Sequence, residues 1–218
     1  MELMQNKNLM IGVLGVTLLI LFYNSYQIGQ INGVTAYATK DVSFNALSNM
    51  IPTGIPKVYG EELGVKYDDV SANNQNLADQ TIDKLGKLDN ELTLNDEQLQ
   101  RYINILYKLN NGISCEYCCG ARSIIFENGQ PACGCAHSYA MRGLTKYLLI
   151  NHGNEYSDEE ILGEVGKWKV LFFPTQMTQK AKIMEENKIN VDYVTLASNQ
   201  YRGIEKSGGS SGGMVGGC

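Results

Sequence analysis

Cys115-Glu-Tyr-Cys118-Cys119-Gly120 and, after a stretch without cysteine, Cys133-Gly-Cys135-Ala-His137-Ser138 form the segment on which the reading of this chain turns. Five of the chain's six cysteines fall within it. A Cys-x-x-Cys turn points two sulfurs to one side of the backbone and backs them with turn N–H groups. The second cysteine group is followed by a helical pattern from about Ala136. A helix N-terminus carries partial positive charge, which favours thiolate over thiol. Cys133 and His137 are four residues apart and share a face if the helical turn begins early.

Between the two groups, Ser123-Ile-Ile-Phe126 reads as extended and Glu127-Asn-Gly-Gln130 as a turn. Asn-Gly is a strong hairpin signal, so a small β-hairpin is expected here. Turn, hairpin and helix N-terminus in that order resemble a treble-clef zinc finger. The second pair departs from that pattern, being Cys-x-Cys rather than Cys-x-x-Cys, and Cys119 and His137 are additional donors.

The primary ligands expected from this pattern are Cys115, Cys118, Cys133 and Cys135. Cys119 and His137 are secondary candidates and Cys218 a mobile auxiliary. A closed zinc site needs only four ligands, so zinc leaves donors to spare. Thiolate-rich surroundings also suit Cu(I), and an iron–sulfur cluster is a further alternative whose usual spacings are not matched. Covalent c-type haem is excluded, because no Cys-x-x-Cys-His occurs. Met141 reads as a packing residue before a soft axial ligand. Two further readings of the cysteines stay open: structural disulfides, and a redox-active dithiol. The adjacent pair Cys118-Cys119 favours metal or exchange chemistry over a simple staple.

Working outward, helices are expected from about Gln75, from a cap at Thr93 or Asn95 to about Leu109, from Ala136 to Asn151, from the capping box Ser157-Asp-Glu-Glu160 to before Pro174, and from a cap at Thr175 through Asn187. Asn190 to Ala197 alternates and reads as a short strand. Trp168, Leu171, Phe172 and Phe173 read as core, and Tyr107 and Tyr117 as shields of the cluster. His152 reads as a cation at a helix C-terminus. The fold class is therefore mainly α with a small β-hairpin, a helical domain built around a treble-clef-like cysteine cluster, and an N-terminal transmembrane helix. The organisation is an anchor over 1–35, a spacer over 36–74, the helical cysteine-cluster domain over 75–205, and a flexible Gly/Ser tail over 206–218 ending in Cys218. A flexible chain of that length spans on the order of 20 Å, enough to reach back to its own domain.

The anchor rests on Leu9 to Tyr23, LMIGVLGVTLLILFY, which contains no charge and is preceded by Lys7. Helical, it spans roughly 22 Å, which Tyr23, Tyr26 and Ile28 would extend into the interface. Ala36-Tyr37-Ala38 has the form of a signal-cleavage site but lies far past the apolar run. The slight positive excess before the run favours a main domain on the extracytoplasmic side. The whole chain has 218 residues, 44% apolar and 19% charged, with a net charge of −5. That composition supports a globular domain and argues against nucleic acid as a partner.

CEYCCG, CGCAHS-x-AMRGL and the terminal MVGGC together resemble an uncharacterised family of small membrane-anchored proteins. CGCAHS is also loosely similar to the Cys-Gly-Cys…His core of PCYCGC-motif proteins, exported proteins thought to bind metal, although the Pro-Cys-Tyr-Cys start is missing. Neither resemblance implies a substrate. No serine nucleophile motif, phosphate loop or paired catalytic carboxylates are found. The expectation is a membrane-anchored, exported protein that holds zinc or copper or passes it to a metal-donor or metal-acceptor protein. The alternatives are a thiol–disulfide oxidoreductase, with Cys118 or Cys119 exchanging and Cys218 resolving, and a disulfide-stapled module of the cell envelope.

Overall fold

The computed structural model describes Thr17, residues 50–208 and residues 213–217. The chain divides into two compact units, Met1–Phe44 and Asn45–Cys218, and every described residue except Thr17, which is helical, belongs to the second. The expected anchor thus lies outside the described residues apart from Thr17. Among those described, no helix is long and apolar enough to cross a membrane.

Seven α-helices are described: α1 (Gly60–Leu63), α2 (Gln75–Glu91), α3 (Asp96–Ile103), α4 (Ala136–Asn151), α5 (Asp158–Phe172), α6 (Pro174–Glu186) and α7 (Tyr193–Ala197). Their starts follow from local chemistry. The Asn95 side chain accepts from the Gln98 N–H while Gln98 reaches back, and Ser157 and Glu160 do the same for α5. Each such box satisfies two otherwise orphaned donors. Pro174 opens α6 at a position where its missing N–H costs nothing. After α3 the helix widens into a π-turn, Asn104–Lys108. A short 3₁₀ turn with Asn110 and Asn111 in the left-handed region then ends it.

Helix α2 buries Ala78, Thr81, Ile82, Leu85 and Asp89, one stripe of the helical period, against α4. The two helices approach closely at Gly143. A Cβ there would lie 2.1 Å from the Leu85 carbonyl oxygen, so no larger residue fits without parting them. Beside this contact, buried Arg142 donates from Nε to Asp89 Oδ2 at 2.7 Å, and Lys146 pairs with Asp89 at 2.9 Å. Trp168, Leu171, Phe172 and Phe173 are buried, as read from the sequence. Full burial of one phenylalanine is worth roughly 1.5–3 kcal/mol. Residues 59–70, counted with the spacer above, join this core. Tyr59 and Tyr67 are buried, the Trp168 indole donates to the Tyr59 hydroxyl at 2.9 Å, and both tyrosines donate to Glu164 at 3.1 Å.

Two expectations need correction. The small β-hairpin does not form: among the described residues there are no strands, and the 123–131 turn keeps one antiparallel bridge, Ile125 to Pro131. Its ladder stops for identifiable reasons. Pro131 has no N–H to give. The Ala132 N–H still donates across the turn to the Ile124 carbonyl at 3.0 Å, but the next carbonyl along, that of Cys133, accepts from Arg142 Nη1 at 2.7 Å, and Nη1 also lies 3.2 Å from the Ile124 oxygen. The second correction is the expected strand at Asn190–Ala197, which is helical over Tyr193–Ala197. Asp192 caps it, accepting from the Thr195 N–H at 2.7 Å while Thr195 Oγ1 accepts from the Asp192 N–H at 3.0 Å.

Candidate metal centre

The segment carrying Cys115 is pinned on both sides. Ile113 bridges to Ser198 and accepts from the Ile124 N–H at 3.1 Å, and the Asn199 N–H donates to Gly112 at 2.8 Å. The chain then turns, with the Cys118 N–H 3.4 Å from the Cys115 carbonyl. Cys133 is held through its carbonyl by Arg142, and Cys135 stands immediately before α4 as its N-cap. Its sulfur accepts from the Ser138 N–H at 3.4 Å and lies 3.2 Å from the Ser138 hydroxyl. The helix therefore begins at Ala136. Cys133 lies outside it, so the shared helical face expected of Cys133 and His137 does not arise.

Two groups of donors converge. Ligand atoms of Cys115, Cys118, Cys135 and His137 all lie within 4.8 Å of one another, and those of Cys119, Cys133 and Cys135 do likewise. Cys135 is common to both. Its sulfur is 3.2 Å from that of Cys115 and 3.6 Å from that of Cys133. Cys115, Cys119, Cys133 and Cys135 are free thiols, whereas Cys118 is disulfide-bonded. Cys218 lies outside the described residues. The four-donor set thus contains His137 where the sequence reading has Cys133.

A tetrahedral zinc with sulfurs about 2.3 Å away sets neighbouring sulfurs about 3.8 Å apart, so this spacing fits a metal after a small expansion. The donor set Cys₃His also fits zinc. Cys118 is the one member that does not fit in the oxidised state, because a disulfide sulfur is not a thiolate donor.

His137 is fully buried, with its ring against those of Phe172 and Phe173 at 4.8 and 5.0 Å. Its Nε2 lies 2.8 Å from the Val215 carbonyl oxygen. A carbonyl only accepts, so Nε2 carries the hydrogen in this contact and Nδ1 is the nitrogen left for a metal. That is the arrangement of a metal-binding imidazole whose second nitrogen is fixed by a backbone acceptor.

The thiols divide their protons unevenly. The hydrogen bond with Cys115 holds Cys135 down to about 3 against its burial, with His137 and Ser138 adding to the effect. Cys115 is raised, by that same hydrogen bond and by burial. Burial and Cys119 push Cys133 up to about 11.

Glu116, inside the cysteine motif, was not singled out from the sequence. Its side chain is fully buried against Lys169 at 3.4 Å, Lys180 at 3.9 Å and Arg202 at 3.6 Å. Burial alone would raise its carboxyl, but these three cations bring it below the ordinary value. Burial, then the ammonium of Lys169, push Lys180 down to about 8. Arg202 also donates to the carbonyls of Ala121 and Gly120, at 2.9 and 2.8 Å, closing the cysteine loop from outside. The only sequence signal for this cluster is a charged residue lodged between two cysteines. Arg142 was likewise missed as a positioning residue. It follows Cys135 by seven residues, two helical turns along the same face. His152 caps α4 and bonds Glu62 and Glu155, and Met141 packs in the core.

No family model, curated protein or solved structure matches the chain.

Proposed function

We propose that this chain is a membrane-anchored, exported protein that holds a soft metal, zinc first, and hands it on through its cysteine cluster. The observation that carries the reading is the four-donor set Cys115, Cys118, Cys135 and His137 at a helix N-terminus, with the His137 Nε2 already committed to a backbone carbonyl. Zinc with three thiolates and one neutral imidazole has one net negative charge. The buried Lys169 and Lys180 and the half-buried Arg202 against Glu116 and Glu205 formally leave one positive charge close by. Handover is supported by the second group. Cys119 is exposed, and a metal moving from the buried set to Cys119, Cys133 and Cys135 keeps Cys135 as a ligand throughout. Three sulfurs alone suit Cu(I) better than zinc. Anchoring and export rest on the uncharged segment Leu9 to Tyr23 and on the family resemblance of the cysteine strings.

The test is native mass spectrometry of the full chain in detergent, purified under reduction and without chelator, with elemental analysis of the same sample. One metal per chain is expected, lost on Cys115→Ala, Cys135→Ala or His137→Ala and retained on Cys133→Ala. A reduced chain that stays metal-free after zinc is added overturns the reading.

One observation favours a second reading, thiol–disulfide exchange. The sulfurs of Cys115 and Cys135 lie within 4.8 Å of the disulfide-bonded Cys118 sulfur, and the hydrogen bond with Cys115 shifts Cys135 toward thiolate. Catalysed insulin reduction, or a substrate trapped as a mixed disulfide through Cys118, would favour that reading over metal handling.

A further inference from the structure

We infer that the disulfide at Cys118 is closed with Cys218 of the same chain, and that this bond and the four-donor metal site exclude one another. The second clause rests on the metal-binding reading; the first does not. The chain has six cysteines. Cys115, Cys119, Cys133 and Cys135 are free thiols, and Cys118 is not. Within the chain, only Cys218 remains as its partner.

The path of the tail supports this pairing independently. Residues 213–217 are seated on the body beside the site. The Val215 N–H donates to the Phe172 carbonyl at 2.9 Å, and Val215 is 2% exposed. Its carbonyl accepts from His137, itself a member of the donor set with Cys118. The Gly216 N–H donates to Gln75 Oε1 and the Gly217 N–H to Asp79 Oδ1, each at 2.7 Å, on the first turns of α2. Gly216 has φ of 82°, and a Cβ there would stand 2.2 Å from Ile82 Cδ1. The glycine is therefore required by this seat, not merely tolerated by a linker. From Val215 the chain has three residues left, up to about 10 Å of extended backbone. That reaches Cys118 from a carbonyl already bonded to His137.

Closing the bond removes one hydrogen from each thiol. The two electrons and two protons pass to an external disulfide, small or protein-borne, which leaves as two thiols. Opening is the reverse exchange with two external thiols. Closed, the site keeps Cys115, Cys135 and His137 but lacks its fourth donor. Opened, it regains Cys118 as a thiolate donor, and the tail keeps its hydrogen bonds and the buried Val215. The chain thus takes up metal when reduced and gives it up when oxidised.

Two measurements on the full chain in detergent test this. In the first, unreduced protein is unfolded in N-ethylmaleimide and digested with trypsin. The expected product joins residues 109–122, alkylated at Cys115 and Cys119, to residues 207–218. Recovery of 207–218 as a free alkylated peptide, a link from it to another cysteine, or a link between two chains overturns the pairing. In the second, zinc affinity is measured by chelator competition for the oxidised chain, the reduced chain and unreduced Cys218→Ser. The oxidised chain is expected to bind at least 100-fold more weakly than the reduced chain, and Cys218→Ser to bind like the reduced chain. Equal affinity of oxidised and reduced chains overturns the exclusion while leaving the metal reading standing. No zinc in the reduced chain overturns the metal reading and the exclusion together, while the mapped bond is judged by the first measurement.

Discussion

Arg142→Met removes the group that ties the second cysteine loop to the helix behind it. Arg142 is fully buried, pairs with Asp89 at 2.7 Å, and donates to the carbonyls of Cys133 and Ile124 at 2.7 and 3.2 Å. Removing one partner of a buried ion pair typically costs about 3–5 kcal/mol. The low end applies here, because Lys146 still pairs with Asp89 at 2.9 Å. The Cys133 carbonyl loses its Arg142 donor and adds roughly 1 kcal/mol, whereas the Ile124 carbonyl keeps the Ala132 N–H at 3.0 Å. The expected loss is therefore about 4 kcal/mol, a large share of the roughly 5–15 kcal/mol that stabilises a typical domain. Denaturant unfolding of the reduced, metal-free variant measures it. The same change frees the Cys133 carbonyl, so alkylation of Cys133 in the folded variant should accelerate while that of the already exposed Cys119 stays the same. A loss below about 1 kcal/mol with unchanged Cys133 labelling would refute the assignment of Arg142 as the anchor of this loop.

The seated tail is marginal without a disulfide: the four hydrogen bonds of Val215, Gly216 and Gly217 at about 1 kcal/mol each and Val215 burial near 2 kcal/mol are set against about 5–10 kcal/mol for ordering five residues. Hydrogen exchange at Val215, Gly216 and Gly217 should accelerate at least tenfold on reduction, and equal protection in both states would show that the body holds the tail unaided. Gly143→Ala gains about 1 kcal/mol in helix propensity but places a methyl 2.1 Å from the Leu85 carbonyl oxygen, so a net loss of about 2 kcal/mol is expected in denaturant melts. A neutral or stabilising outcome would mean that α2 and α4 are not locked at that crossing. For His152, burial alone would lower the pKa, but hydrogen bonds to Glu62 and Glu155 raise it above the ordinary value. Its contribution is then fully present below about pH 6.5 and lost as pH rises through the raised folded value. Both partner carboxylates are substantially exposed, so the effect is small. The melting temperature of the native chain should gain on that of His152→Gln as pH falls from about 9 to about 6, and a pH-independent difference would discount the ion pairs.

The helices were legible where the signal is local. Asn95 with Gln98 and Ser157 with Glu160 announce their caps in four residues. The hairpin was misread because Pro131 lacks an N–H and because Arg142, a residue on a later helix, takes the Cys133 carbonyl where the pairing would have continued. Asn190 to Ala197 was misread because alternation over so few residues competes with a cap, and the reciprocal bonds of Asp192 and Thr195 favour the helix. Around the cysteines, the sequence located the cluster but not its partition. Spacing groups Cys133 with the primary ligands. The backbone instead makes Cys135 the N-cap and brings His137 into the four-donor set. Composition describes the tail as flexible, while one buried valine and two N–H donors suit it to a seat. The charge cluster around Glu116 assembles from α5, α6 and the segment after α7, a long-range arrangement that no local pattern encodes.

The central claim is a Cys₃His metal site, and X-ray absorption at the zinc edge of the reduced, zinc-loaded chain tests it most directly. The account predicts three sulfur neighbours at about 2.3 Å and one nitrogen at about 2.0 Å, with the nitrogen shell lost in His137→Ala. Four sulfurs and no nitrogen, or a shell of oxygen and nitrogen alone, would contradict it.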